Sequence, residues 1–265
     1  MLELGHGFRV VDVHTRLDPV GGSDRGRDIQ PERLERELHQ AGIVKAVVSP
    51  GVRDRGYLAA NNAVARLSVE RPFVAFARID GPRHPTSRLR SLRPRREPHH
   101  VDPEDVEQFA YDERFAGFTL DPVVDGLPEP AVLEVLGDVG LPVVVRGGRG
   151  FPPERVATTL LEYAFPVVLA AFGGHPLDRA AMHRAVDLLD DHDDLYLDTA
   201  AVRFRDVLER GLKEHPDRVL FGSGAPDVHP NVAVMELLTC SVPEDEMRRV
   251  FDANPSRVVP ALGPD

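Results

Sequence analysis

The chain has no tryptophan, one cysteine and two lysines in 265 residues. Each shortage removes a class of explanation. With Cys240 alone, an intrachain disulfide and any cysteine-cluster metal site are excluded. Lys45 and Lys213 are the only lysines, so nearly all of the 32 basic residues are arginine. A GC-rich genome and a salt-adapted acidic surface would each produce that bias. The formal net charge of −11 argues against a nucleic-acid-binding surface. No apolar run approaches the roughly 20 residues of a membrane helix. The first residues lack a basic stretch followed by an apolar one, so neither a signal peptide nor a membrane contact is expected and the expected compartment is the cytoplasm.

What is present is an alternation. Apolar, strand-like runs fall at residues 8–14, 44–48, 73–77, 116–120, 142–145, 166–170, 195–197 and 218–221. Between them lie helical patterns: Leu34, Leu38 and Ile43 behind Pro31, then residues 58–67, 131–136, 153–163, 177–189 and 202–212. Short runs that are apolar on both faces, separated by helices, describe parallel strands covered on both sides. Eight such units in about 250 residues predict an α/β fold, a TIM-type (β/α)8 barrel, as one domain over residues 1–265. An open doubly wound sheet is the competing fold, but Asp12-Val13-His14-Thr15-Arg16 stands where its glycine-rich first turn belongs.

Residues 81–105 interrupt the rhythm with Arg83, Arg88, Arg90, Arg93, Arg95 and Arg96 and little apolar content. This stretch reads as an exposed insertion on the face where barrel active sites lie, either a solvated loop or a basic lid for an anion. His99-His100 reads as an exposed pair, Asp190 to Asp194 as a solvated acidic turn, and Gly147 to Gly150 as a strand-to-helix turn. Cys240 reads as a core or near-core residue.

Several segments, in order, resemble the amidohydrolase-related family, which includes amidohydrolases, lactonases and decarboxylases of the aminocarboxymuconate-semialdehyde type. Val11-Asp12-Val13-His14-Thr15-Arg16 resembles its first-strand D-x-H-x-H. Residues 115–122 resemble its fourth-strand G-[VF]-K-L segment, with Thr119 at the lysine. Residues 141–148 resemble L-P-V-x-I-H-x-G, with Arg146 at the histidine. Residues 165–174 resemble the segment ending H-x-G-G, with Ala171 at the histidine. Residues 195–200 match the seventh-strand pattern. Phe221-Gly222-Ser223-Gly224-Ala225-Pro226 resembles FGSDAP, with Gly224 at the metal-binding aspartate, and residues 252–258 resemble the closing N-[AP]-x-R-[LV] helix.

The resemblance implies a barrel whose divalent metal centre is degenerate. Of the usual ligand positions only His14 retains a coordinating side chain, and one imidazole does not hold a catalytic zinc. Arginine is cationic and has no lone pair to give. The candidate site is therefore Asp12, His14 and Asp198 as catalytic groups and Arg16, Arg146, His175, Asp227 and His229 as ligand-binding groups, with no metal and no cofactor. Arg16 and Arg146 suit a carboxylate or phosphate, so a small anionic ligand is the expected partner. A homodimer is compatible with the resemblance.

Three functional readings stay open. The first is a non-catalytic or regulatory binder of the anion. The second is a metal-independent hydrolase or lactonase acting on a carboxylate-bearing substrate. The third is a hydrolase or decarboxylase with a metal site rebuilt from His14, His175 and Asp227. A further expectation is structural: Asp12 or Asp198 pairs with Arg146 and fills the vacated space.

Overall fold

A computed structural model describes residues 5–17, 30–51, 56–84 and 97–264. Eight parallel strands follow one another around a single sheet in chain order. They are β1 (Val10–Leu17), β2 (Ile43–Pro50), β3 (Phe73–Arg78), β4 (Phe115–Leu120), β5 (Val143–Gly148), β6 (Val167–His175), β7 (Leu195–Asp198) and β8 (Val219–Leu220). The helices between them are α1 (Pro31–Gln40), α2 (Leu58–Glu70), α3 (Pro103–Tyr111), α4 (Pro130–Val139), α5 (Pro153–Thr159), α6 (Arg179–Asp187) and α7 (Arg205–Glu214). After β8 come α8 (Pro230–Leu238), α9 (Glu244–Arg248), a π-helical turn and α10 (Asn254–Val258). The expected (β/α)8 barrel is the observed fold.

Five helices, α1, α3, α4, α5 and α8, begin on proline. The first helical residue has no use for its N–H, and proline's fixed φ suits the entry. Much of the proline content is thus helix punctuation on the path back to the sheet. Capping adds to it. Asp178 Oδ1 accepts the Ala181 N–H at the start of α6, and Asp102 with Asp105 forms a reciprocal capping box on α3.

β1 runs three residues further than the apolar pattern indicates, so Arg16 lies within the strand. Its register against β2 slips between Asp12 and Thr15. The slip breaks the two-residue period that would otherwise set Asp12, His14 and Arg16 on one face. β8 has only two residues in the sheet proper, and the barrel closes through the segment that follows. Val13 N–H donates to Phe221 O at 3.0 Å, Gly224 N–H to His14 O at 3.0 Å, and Arg16 N–H to Ala225 O at 2.9 Å.

The barrel interior is packed with Val11, Val13, Val47, Val74, Phe76, Val144, Val168 and Leu220, and Val258, Val259 and Leu262 plug its floor. Branched side chains filling the interior in layers make a barrel a solid core. A second, larger apolar layer lies between sheet and helices and holds Phe115, Phe118, Phe151, Phe165 and Phe172. Helix α3 occupies part of the stretch expected to be an open insertion. Arg88, Arg90, Arg93, Arg95 and Arg96 lie outside the described residues.

Gly117 in β4 shows how tight the interior is. A Cβ there would stand 2.5 Å from the Phe76 ring and 2.6 Å from Pro142 O. Gly117→Ala is expected to cost about 1–3 kcal/mol by overpacking, a fall of roughly 3–10 °C in Tm. Calorimetry checks this, and an unchanged Tm contradicts the packing described here.

Candidate functional site

The carboxyl ends of the strands gather the expected residues at one mouth, with two exceptions. The centre of the arrangement is Asp198, the last residue of β7, fully buried. Its Oδ2 lies 2.7 Å from His14 Nδ1, and its Oδ1 accepts N–H bonds from Ala171 at 2.8 Å and Ala200 at 3.0 Å. A buried carboxylate with this many donors is a satisfied charge. Because a carboxylate only accepts, the bond fixes the proton of neutral His14 on Nδ1 and leaves Nε2 with its lone pair.

Beside the dyad stand the two arginines. Arg16 makes a two-pronged contact with Asp227, at 3.1 and 3.3 Å. Arg146 lies 3.6 Å from Asp121, 3.9 Å from Asp227 and 3.4 Å from His175 Nε2. Asp227 is thus shared by both guanidiniums and is itself half-exposed. His175 reaches this position through a left-handed detour in β6. Ala171, Phe172 and Gly173 have φ of 54, 48 and 65°, and the register against β5 jumps so that His175 sits opposite Gly148. Burial, and then the Arg146 charge, push the His175 imidazole below its ordinary pKa, which agrees with Nε2 accepting from arginine.

A cavity of about 40 Å³ opens here, lined among others by His14, Arg16, Arg78, Thr119 and Arg146. That is room for a carboxylate-sized group or ordered water. Thr119 lines it with a buried Oγ that has no hydrogen-bond partner among the described residues. Arg78 is a third guanidinium that the sequence reading did not single out. It is held by Asp125 at 3.0 Å and by Pro50 O at 3.2 Å, and it lies over the Tyr57 ring.

Two expected site residues stand apart. Asp12 is buried behind the mouth, where its Oδ1 accepts the N–H of His14 and of Ser223. His229 caps α8, its Nδ1 accepting the Asn231 N–H at 3.2 Å. The expected Asp12–Arg146 or Asp198–Arg146 pair does not form among the described residues. Asp198 is taken by His14, and Asp12 is engaged by backbone, so Asp121 and Asp227 balance Arg146 instead.

Solved structures with the same architecture carry the comparison further. A 5-carboxyvanillate decarboxylase from Sphingomonas paucimobilis is 15% identical with a TM-score of 0.68, covering 96% of this chain and 99% of that one. A dihydroxybenzoic acid decarboxylase from Polaromonas, solved with manganese and an inhibitor, gives 15%, 0.66, 96% and 97%. A probable 2-pyrone-4,6-dicarboxylic acid hydrolase from Acinetobacter baumannii, solved with citric acid, gives 15%, 0.65, 96% and 100%. These are TIM barrels of the amidohydrolase superfamily. The chain shares their (β/α)8 barrel fold. No family model and no curated protein matches it.

At the positions where the sequence resemblance placed metal ligands, the mouth has Arg16, Arg146, Ala171 and Gly224. Gly224 has φ of +71°, and a Cβ there would lie 3.2 Å from the Ala200 Cβ. Among the described residues, the one set of three His, Cys, Asp or Glu ligand atoms within 4.8 Å of one another is Asp80, His99 and His100, after β3. His14, His175 and Asp227 share the mouth without forming such a set. No described helix is long and apolar enough to cross a membrane.

Burial raises the Asp12 carboxyl to about 6, partly offset by its bonds from Ser223 and His14. A carboxyl whose folded pKa lies above its unfolded value of 3.8 loses stability as pH rises from about 4 to 6, because the native state holds the extra proton. Asp12→Asn keeps the acceptor and removes the charge. Its stability relative to the parent protein is expected to improve by on the order of 3 kcal/mol between pH 4 and pH 7. Urea denaturation across that range measures it, and a pH-independent difference contradicts the assignment.

Proposed function

We propose that the mouth binds a small carboxylate-bearing molecule and hydrolyses an ester or lactone bond in it without a metal, with His14 as general base. The observation that carries this reading is the His14–Asp198 pair. A buried carboxylate orients an imidazole and fixes its tautomer, the arrangement that makes histidine an effective base. In the proposed step, His14 Nε2 takes a proton from water as the water oxygen bonds to the acyl carbon. Collapse of the tetrahedral adduct breaks the bond to the leaving oxygen, which receives that proton from His14. The protonated imidazole formed in between is stabilised by Asp198.

Arg16, Arg146 and the Thr119 hydroxyl supply the anion site. A ligand carboxylate would exchange with Asp227, which is half-exposed and shared, while the buried Arg78–Asp125 pair stays intact. The donor set does not suit a divalent ion between Arg16 and Arg146. Two fixed cations at short range repel it, and Ala171 and Gly224 offer no ligand atom. The neighbours in fold whose names or bound molecules include benzoates and citrate support the choice of a carboxylate.

The second reading is an anion binder without turnover. It is favoured by the small cavity and by the existing contacts of both guanidiniums with Asp227.

Citrate and inorganic phosphate serve as probes. Millimolar citrate is expected to raise Tm by several degrees through native-state binding, and Arg146→Ala should lose the shift. A shift that survives Arg146→Ala places the anion elsewhere and sinks the site. Over a panel of carboxylate-bearing esters and lactones, turnover should persist in chelator and fall by about 10²–10⁴-fold in His14→Ala. Citrate binding without turnover selects the second reading, and turnover restored only by added metal rejects both.

A further inference from the structure

The neighbouring sector of the same face carries a second constellation. Asp80 lies two residues beyond β3, His99-His100 stands just before α3, and the described residues on either side lie together. One ligand atom from each of the three residues lies within 4.8 Å of the others. His99 Nε2 is 4.0 Å from Asp80 Oδ2, and the two imidazole rings meet edge-on with centroids 4.5 Å apart.

The cluster is supported from behind. Asp80 Oδ1 accepts the Val101 N–H at 3.1 Å, which aims Oδ2 at His99. Gly56, with φ of +78°, packs so closely against His99 that a Cβ there would stand 2.8 Å from the His99 Cβ. Asp80 and His99 also line a cavity of about 510 Å³ together with Tyr57, Arg78, Asp105 and Phe109. Arg78, which lines the same cavity, is paired with Asp125 at 3.0 Å.

The geometry points to a divalent transition-metal site formed by Asp80, His99 and His100, with its remaining coordination positions open to this cavity. Two imidazoles and one carboxylate form a borderline nitrogen–oxygen set that suits Zn²⁺ and its first-row neighbours and leaves positions for water or ligand. Bonds of about 2.0–2.1 Å bring ligand atoms to roughly 3–3.5 Å from one another, so the cluster closes by a small rotation of the partly exposed His99. His100 Nδ1 accepts the Glu97 N–H at 3.0 Å, which places the proton of the neutral ring on Nε2.

Arg78 lines both cavities, but the three ligands are separate from the residues of the hydrolytic reading. The site lies at the end of β3, whereas His14, Arg16, Arg146, Ala171 and Gly224 belong to the first, fifth, sixth and eighth sectors of the barrel.

The test uses the full chain stripped with chelator and then titrated with Zn²⁺, with metal counted by elemental analysis after gel filtration. The expected result is one Zn²⁺ per chain. Affinity should fall at least about tenfold in His99→Ala and in Asp80→Asn, and stay unchanged in His14→Ala. Asp80→Asn keeps an acceptor for the Val101 N–H. His99 is 38% exposed in its side chain, so its variant keeps the test decisive if the other fails to fold. Visible absorption of the Co²⁺-loaded protein should change in His99→Ala, which reports loss of a nitrogen ligand. Absence of stoichiometric Zn²⁺, equal affinity in the variants, or loss of metal in His14→Ala each overturns the assignment.

Discussion

The mouth of this barrel is organised by one buried carboxylate. Asp198 receives His14 from β1, the Ala171 N–H from β6 and the Ala200 N–H from its own loop. An ionised group with no exposure is tolerable only when it is paired and fully hydrogen-bonded. That requirement constrains three strand ends at once. Ala171 adopts a left-handed φ of 54°, a conformation costing a non-glycine residue about 1–2 kcal/mol, and its N–H bond to Asp198 offsets part of that cost. The bend that follows returns His175 to the mouth. The site is therefore a mechanical consequence of satisfying Asp198 rather than a collection of independent side chains.

Around that anchor the charges form a chain. Arg16, Asp227, Arg146 and Asp121 alternate in sign, and His175 accepts from Arg146 at its edge. The members differ in how firmly they are held. The Asp121 side chain is 8% exposed and that of Asp227 is 48% exposed, so Asp227 is the carboxylate an incoming anion displaces at least cost in desolvation. On the proposed reading, an arginine pair satisfied by a half-exposed carboxylate is better prepared for exchange than Arg78, which is held by the buried Asp125.

The barrel was legible because its signal is local. Most strand positions on both faces are buried, and the apolar runs at residues 44–48, 73–77 and 116–120 fall within the strands observed. Helix α3 was hidden by the arginine-rich stretch before it, yet Asp102-Pro103-Glu104-Asp105 carries its own start signal, a capping box with proline at the first helical position. The candidate residues were legible one by one, since strand ends point at the mouth. Their partners were not. His14 and Asp198 are 184 positions apart, and no spacing rule joins them. Asp121 and Arg78 each stand at or just past the end of an apolar run, which was the available signal. His99-His100 looked like an exposed pair because Asp80, its third member, is brought in only by the return of the loop.

Gly224 also changes meaning in three dimensions. In the sequence it marks a missing aspartate. In the barrel, its N–H donates to His14 O, and Arg16 and Ala225 continue the same seam. Its φ of +71° and the Ala200 Cβ 3.2 Å from where its own Cβ would be make glycine the residue that closes this seam with least strain. The segment therefore joins β8 to β1 directly beneath the imidazole, and Gly222 leaves only 3.0 Å between its would-be Cβ and that of His14. Packing from below and Asp198 from the side together hold His14 in place. The glycine at 224 and the fixed orientation of His14 both belong to the same close approach.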